Sequence, residues 1–180
     1  MVSVRKLSWA SIETPVGQVS VGCSAAGIAR VRFGPPPAGG GPAPAELPGD
    51  LLPAARDQLS EYFGRARRAF DLPLDWGTAA RARREVLSLL AETVRYGETV
   101  TYGSLARRLA LRDARSEIDA RDVGGIMASN PIPVIVPCHR VVAADGLGGF
   151  SGGSGPELKR WLLTFEGALP AMLDFGEPAA

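Results

Sequence analysis

Histidine is almost absent from this chain of 180 residues: His139 is the only one, and the cysteines number two, Cys23 and Cys138. One imidazole and two thiols cannot fill a four-ligand zinc site without carboxylates, and there is no CxxC pair, so no metal and no cofactor are expected. Two cysteines so far apart make no disulfide framework, which favours a reducing, cytoplasmic setting. Apolar runs of about twenty residues are missing, as is an apolar stretch near the N-terminus, so neither a membrane span nor a signal peptide is expected. Lysine is scarce as well, at Lys6 and Lys159 alone, and arginine carries nearly all the positive charge. A formal net charge of +1 gives no global attraction to nucleic acid, so any such binding must rest on local basic groups.

What is present suits one globular domain or two small ones sharing an interface, with 46 % hydrophobic residues. Residues 7–33 read as strands broken by turns at Thr14-Pro-Val-Gly17 and Ala25-Ala-Gly27. The Pro/Gly-rich segment 34–49 cannot be a regular element and reads as an exposed connection. Leu51, Leu52, Ala55, Leu59 and Phe63 recur at helical spacing up to Gly64, and 69–74 suggests a last short strand. Together these predict a β-rich N-terminal domain over 1–74, followed by a helical domain over 75–180. Arg83–Thr93 buries Val86, Leu87, Leu90 and Ala91; a second helix from Tyr102 buries Leu105 and Leu109. Ser116-Glu-Ile-Asp119 has the form of a helix cap opening a third helix that ends near Asn130. The second and third helices suggest a helix-turn-helix, with an ordinary helical hairpin as the alternative. The last helix, capped at Ser154-Gly-Pro-Glu157, buries Leu158, Trp161, Leu162 and Phe165 and carries Glu166 at its C-terminus. The helix dipole disfavours a carboxylate there, so Glu166 needs a compensating partner, for which His139 is the obvious candidate.

Two patterns carry chemistry. Cys138 is followed directly by His139, after the apolar run Ile132–Val136, and a neighbouring proton acceptor makes a thiolate nucleophile accessible. On the third helix Val123, Ile126 and Met127 form the core face, while Arg121, Gly124, Gly125 and Ala128 lie opposite. Helical glycines cost about 1 kcal/mol each relative to alanine, so another surface must come close: a nucleic-acid groove or a second helix.

The segments Pro137-Cys-His-Arg-Val-Val142, Arg121-Asp-Val-Gly-Gly125, Asn130-Pro131, Thr101-Tyr-Gly103, Gly149-Phe-Ser-Gly-Gly153 and Lys159-Arg-Trp-Leu-Leu163 with Glu166-Gly167 resemble the O6-alkylguanine-DNA alkyltransferases, also called methylated-DNA–protein-cysteine methyltransferases. The resemblance spans about residues 84–167; before that it is loose, through Thr14-Pro-Val-Gly17 and Glu61-Tyr-Phe-Gly64. It implies an α+β fold, with a ribonuclease H-like N-terminal sheet domain and a winged-helix-like C-terminal domain containing the helix-turn-helix. It also implies a monomer that binds double-stranded DNA containing alkylated guanine, flips the damaged base out and takes its alkyl group irreversibly onto Cys138, once per chain. In that scheme His139 takes the thiol proton through a water, Glu166 orients the imidazole, and Asn130 braces the turn before the active-site strand. Tyr102 crowds the phosphate and meets the leaving guanine, while Arg121 fills the vacated stack. Gly124, Gly125, Ala128 and Arg140 complete the expected DNA face. Val136, Pro137, Phe150 and Ser151 would form the base pocket.

The sequence departs from the family in places. Arg112–Asp119 holds about five extra residues, Asp122 sits beside Arg121 where a small residue is usual, and Phe150 replaces a common tyrosine. Three other readings stand beside this one: a non-catalytic binder of alkylated DNA with the same fold, a cysteine hydrolase, and a regulator that uses the helix-turn-helix alone. The hydrolase is disfavoured because neighbours on an extended segment point to opposite sides.

Overall fold

Three antiparallel strands, β1 (Ser8–Thr14), β2 (Gly17–Ser24) and β3 (Gly27–Phe33), open the fold in sheet order β1-β2-β3. The structure, a computed structural model, describes residues 7–38 and 49–170. Most of the expected Pro/Gly connection therefore lies outside the described residues. One sheet face is packed by α1 (Leu51–Phe63), which buries Leu51, Ala55, Leu59, Tyr62 and Phe63. Full burial of each such apolar side chain contributes roughly 1.5–3 kcal/mol. Residues 69–74 do not form the expected strand: only Leu74 bridges to Ile28, supported by hydrogen bonds from Ile28 to Pro73 and from Asp75 to Ile28.

The second half holds α2 (Arg81–Thr93), β4 (Val100–Thr101), α3 (Tyr102–Arg112), α4 (Ala120–Ala128), β5 (Val141–Val142) and α5 (Pro156–Phe165). In α2 the buried residues are Val86, Leu87, Leu89 and Leu90. Ala91 is exposed, contrary to the periodic reading, because the face turns toward Leu89. Helix α3 buries Leu105 and Leu109 as expected, and α4 buries Val123 and Met127 with Ile126 at the margin. A single buried cluster runs from the sheet through α1 into α2–α5.

Two caps differ from expectation. Helix α4 starts at Asp119, whose carboxylate accepts from the Arg121 and Asp122 backbone while Asp122 accepts from the Asp119 backbone. Asp119-x-x-Asp122 thus forms the capping box, and Ser116 lies in the preceding connection. The extra residues of 112–119 fall mostly in this connection rather than lengthening either helix. Helix α5 begins with Gly155 at φ 69°, without a side-chain cap, so Ser154 is not its N-cap.

Candidate active site

The parallel pairing of β4 with β5 builds the site. Val100 pairs with Val141 and Thr101 with Val142, placing the start of α3 beside the turn that precedes β5. That turn is a short 3₁₀ segment, Cys138–Arg140, and not the extended strand the sequence suggested. The run before it is no strand either: Pro133 bridges back to Val136, and Val134 sits at φ 73°, a strained conformation for a β-branched residue. Asn130 holds this loop at both ends. Its Nδ2 donates to the Val136 carbonyl at 2.8 Å, and its Oδ1 accepts from the Ile132 N–H at 3.0 Å. The brace expected of Asn130 therefore acts on a turn.

Below the turn lies a buried charge network centred on Glu166. Its Oε1 accepts from Tyr62 Oη at 2.7 Å and from Arg140 Nη2 at 2.9 Å, and it lies 2.9 Å from His139 Nε2. Its Oε2 accepts from Arg140 Nε at 2.8 Å, and Arg140 Nη1 reaches the Val94 carbonyl at 2.8 Å. The fork of Arg140 thus grips the carboxylate with both oxygens engaged. Burial alone would push the Glu166 carboxyl up, but hydrogen bonds from His139 and Arg140 reverse this and hold it far below the usual range. The compensating partner expected for Glu166 exists, and there are three: His139, Arg140 and Tyr62.

Arg140 is consequently not part of a DNA-facing surface. It is buried and fully committed to Glu166 and Val94, because the 3₁₀ turn directs it inward. Tyr62, contributed by α1, escaped the sequence reading; its motif Glu61-Tyr-Phe-Gly64 gives no sign that the hydroxyl points into the second half.

Burial disfavours the charged forms of both groups of the Cys-His pair. The Cys138 thiol is pushed up to about 11 by desolvation, with the Asn130 side chain and the Lys159 charge drawing it only partly back. Burial thus opposes the thiolate that the neighbouring proton acceptor was expected to make accessible. His139 is completely buried, and its pKa is lowered, chiefly by that burial. A carboxylate only accepts hydrogen bonds, so neutral His139 carries its proton on Nε2. That leaves Nδ1 as a lone-pair acceptor, buried and without a hydrogen-bond partner among the described residues.

Lys159, on the buried face of α5, was also missed as a site residue. Its Nζ donates to the Val141 carbonyl at 2.6 Å and to the Gly149 carbonyl at 3.1 Å. Burial lowers its pKa to about 8, with Cys138 opposing the shift. Its signal in the sequence was its rarity: one of two lysines, set between Leu158 and Leu162 on an apolar face. Lys159 Nζ also lies 5.7 Å from the centre of the half-buried Tyr102 ring. A side chain on Gly148 would collide with the Tyr102 hydroxyl, and Gly148 has φ 69°, so glycine is required there.

Cys138 opens on a cleft of about 250 Å³ lined by Asn130, Pro131, Pro133, Phe150, Ser151, Gly152 and Gly153, with Arg30–Phe33 of β3 on the other side. Phe150 and Ser151 thus stand where a base pocket was expected. Val136 and Pro137 do not reach the cleft wall: both are buried behind it, and Pro131 and Pro133 take their place. The Ser151 hydroxyl donates to the Ala128 carbonyl at 2.7 Å, tying the cleft to the end of α4. On α4, Arg121, Gly125 and Ala128 are exposed, and a Cβ on Gly124 or Gly125 would meet nothing within 4 Å. Among the described residues no neighbouring helix comes within 4 Å of these positions, so packing within them does not account for the glycines. Among the described residues no cluster of three His, Cys, Asp or Glu side chains is placed to hold a metal.

Residues 81–168 match the family model described as 6-O-methylguanine DNA methyltransferase, DNA binding domain. A Thermus thermophilus protein named DNA base-flipping protein is 39% identical over 160 residues, covering 88% of this chain and 99% of the relative. A Methanopyrus kandleri methylated-DNA–protein-cysteine methyltransferase is 44% identical over 135 residues, covering 69% of this chain and 95% of the relative. The crystal structure of Mycobacterium tuberculosis OGT in complex with DNA is similar, with a TM-score of 0.69, 31% identity, and coverage of 88% of this chain and 92% of that one.

Proposed function

Because this chain belongs to the methylated-DNA–protein-cysteine methyltransferase family, we propose that it repairs DNA by direct reversal, taking the alkyl group of O6-alkylguanine onto Cys138. The observation that carries this reading is the buried thiol at the base of a cleft, backed by an imidazole whose free nitrogen is an acceptor.

DNA binds through α3 and α4. The smooth face of Gly124, Gly125 and Ala128 lies against the minor groove, and Arg121 enters the stack as the damaged guanine leaves it. Only an extruded base reaches Cys138, since the residue is 5% exposed and opens on the cleft. Tyr102, at the start of α3 and beside Lys159 and Gly148, meets the rotated nucleotide.

In the chemical step the Cys138 proton passes, through a bridging water, to His139 Nδ1. Glu166 stabilises the imidazolium so formed while remaining charged itself. The thiolate attacks the alkyl carbon in line with the C–O6 bond; a C–S bond forms and the C–O bond breaks. The bonding pair goes to the purine, which takes up a proton to become guanine, assisted by the Tyr102 hydroxyl. The Lys159 ammonium offsets the charge on sulfur before attack. A thioether lacks a good leaving group, and no residue in the cleft is placed to remove the alkyl group, so each chain acts once.

A reading as a non-catalytic flipping protein would leave the thiol and its proton acceptor without a task. Two buried free cysteines fit a reducing compartment, and we place the protein in the cytoplasm. We take it to act as a monomer. Incubation of the intact protein with duplex DNA containing one O6-methylguanine tests the repair reading. The expected result is a mass gain of one methyl on the Cys138 peptide, absent in Cys138→Ala. Repaired DNA with an unmodified Cys138 would overturn it.

A further inference from the structure

The N-terminal sheet presents two unpaired cations to the cleft. Arg30 and Arg32 are exposed on one face of β3, with the buried Val31 between them. Side chains two residues apart on a strand emerge about 7 Å from one another, far enough for each to hold its own anion. Among the described residues neither side chain has a hydrogen bond or an ion pair, whereas Arg56, Arg67, Arg81, Arg112 and Arg140 all face carboxylates.

Their position is fixed relative to the reactive turn. β3 is an edge strand, and its Val31 N–H donates to the Pro131 carbonyl at 2.9 Å, next to the Asn130 brace. Phe33, the next residue but one, packs against the opposite rim, where a Cβ on Gly152 would lie 3.1 Å from its ring. Both arginines therefore line the same 250 Å³ cleft as Cys138. Among the described residues no carboxylate lines that cleft, so a chain of net charge +1 concentrates positive charge there.

We propose that Arg30 and Arg32 bind backbone phosphates of the lesion-bearing strand beside the extruded nucleotide, making β3 a second DNA contact besides α4. The inference rests on the repair reading, which brings that strand to the cleft mouth. A neutral purine does not call for two guanidiniums, whereas a phosphodiester matches the guanidinium fork in both charge and geometry. The contact grips the strand from the side away from the helix-turn-helix, which steadies the nucleotide while it is out of the stack.

The test compares wild type with Arg30→Gln/Arg32→Gln and Arg30→Lys/Arg32→Lys as full chains. Binding to a duplex carrying one O6-methylguanine is measured across a salt series. Methylation of Cys138 by free O6-methylguanine base, which has no phosphate, is followed by mass. The glutamine variant is expected to bind at least tenfold more weakly at about 0.1 M salt, with a log–log salt slope smaller by about two. The lysine variant should keep the slope, and the free-base rate should stay within twofold of wild type in both. An unchanged slope and affinity in the glutamine variant would overturn the proposal. So would a parallel loss of free-base reaction, which would place the arginines on the base instead. The slope is read from binding alone, so it decides the role of the arginines even if methyl transfer to Cys138 fails.

Discussion

The hydroxyl of Tyr62 and the carboxylate of Glu166, 104 residues apart in sequence, meet in a buried hydrogen bond of 2.7 Å. The oxygen that receives it also accepts from Arg140 and faces His139. A residue of α1 therefore helps to set the field around the imidazole that follows Cys138, and the N-terminal half is more than a support. Burial first and Glu166 second hold the Tyr62 phenol well above its usual range, so it remains a donor at any working pH.

Tyr62→Phe removes one donor and leaves Glu166 otherwise satisfied, so it should cost about 1–2 kcal/mol of stability and slow alkyl transfer several-fold. Glu166→Gln leaves the Arg140 charge buried without a counter-ion, costing about 3 kcal/mol or more. It should slow transfer by about a hundredfold. Denaturant unfolding and single-turnover kinetics on methylated duplex read both. If Glu166→Gln reacted as fast as wild type, the imidazole–carboxylate pair would have no part in the chemistry.

Between about pH 8 and 10 the pH dependence of stability follows from three buried groups. Cys23 and Cys138 titrate at about 11 when folded, against an ordinary 9.0. Unfolding thus releases protons above pH 9, and stability falls as pH rises from there toward 11. Lys159 has the opposite sign: at about 8 folded against 10.5, it adds stability as pH rises through that window. Two thiols outweigh one amine, so stability should rise slightly from about pH 8 to 9. It should then fall by about 1 kcal/mol per pH unit. A denaturation midpoint that keeps rising to pH 10.5 would contradict these assignments.

Gly124 and Gly125 give the clearest opposition between stability and function. Among the described residues nothing occupies the space of a Cβ at either position. Alanine at each should stabilise the fold by about 0.5–1 kcal/mol yet weaken DNA binding tenfold or more. Thermal melting and duplex affinity, measured on the same samples, would expose a failure if both moved in the same direction.

Asp122 has two opposed effects, closing the capping box of α4 and placing negative charge beside Arg121. Asp122→Ala should lower the melting temperature by about 2–4 °C while tightening DNA binding most at low salt. No gain in affinity at any ionic strength would remove the charge argument and leave the cap alone.

The sequence revealed the helices with strong apolar periodicity, α1, α2 and α3, almost to the residue. It erred where two local signals competed. Ser116 and Asp119 both precede an acid by three residues, and the carboxylate capped the helix. The site itself was half legible. Cys138, His139, Asn130 and Glu166 converge as expected, because the motif around them ties each to a fixed element. Arg140 was misplaced because adjacency in sequence does not reveal which way a 3₁₀ turn directs each side chain. Arg30, Arg32 and Tyr62 stayed hidden for a different reason: their relation to Cys138 exists only once the sheet edge and α1 have docked.

The depth and neutral state of Cys138 bear on how well the protein keeps before use. Peroxides and stray electrophiles react with exposed, ionised sulfur, whereas this sulfur is buried and its burial opposes ionisation. For a molecule that works only once, every accidental oxidation would waste a whole chain. A sulfur so sheltered lets the cell hold a lasting reserve, with each copy saved for a genuine lesion.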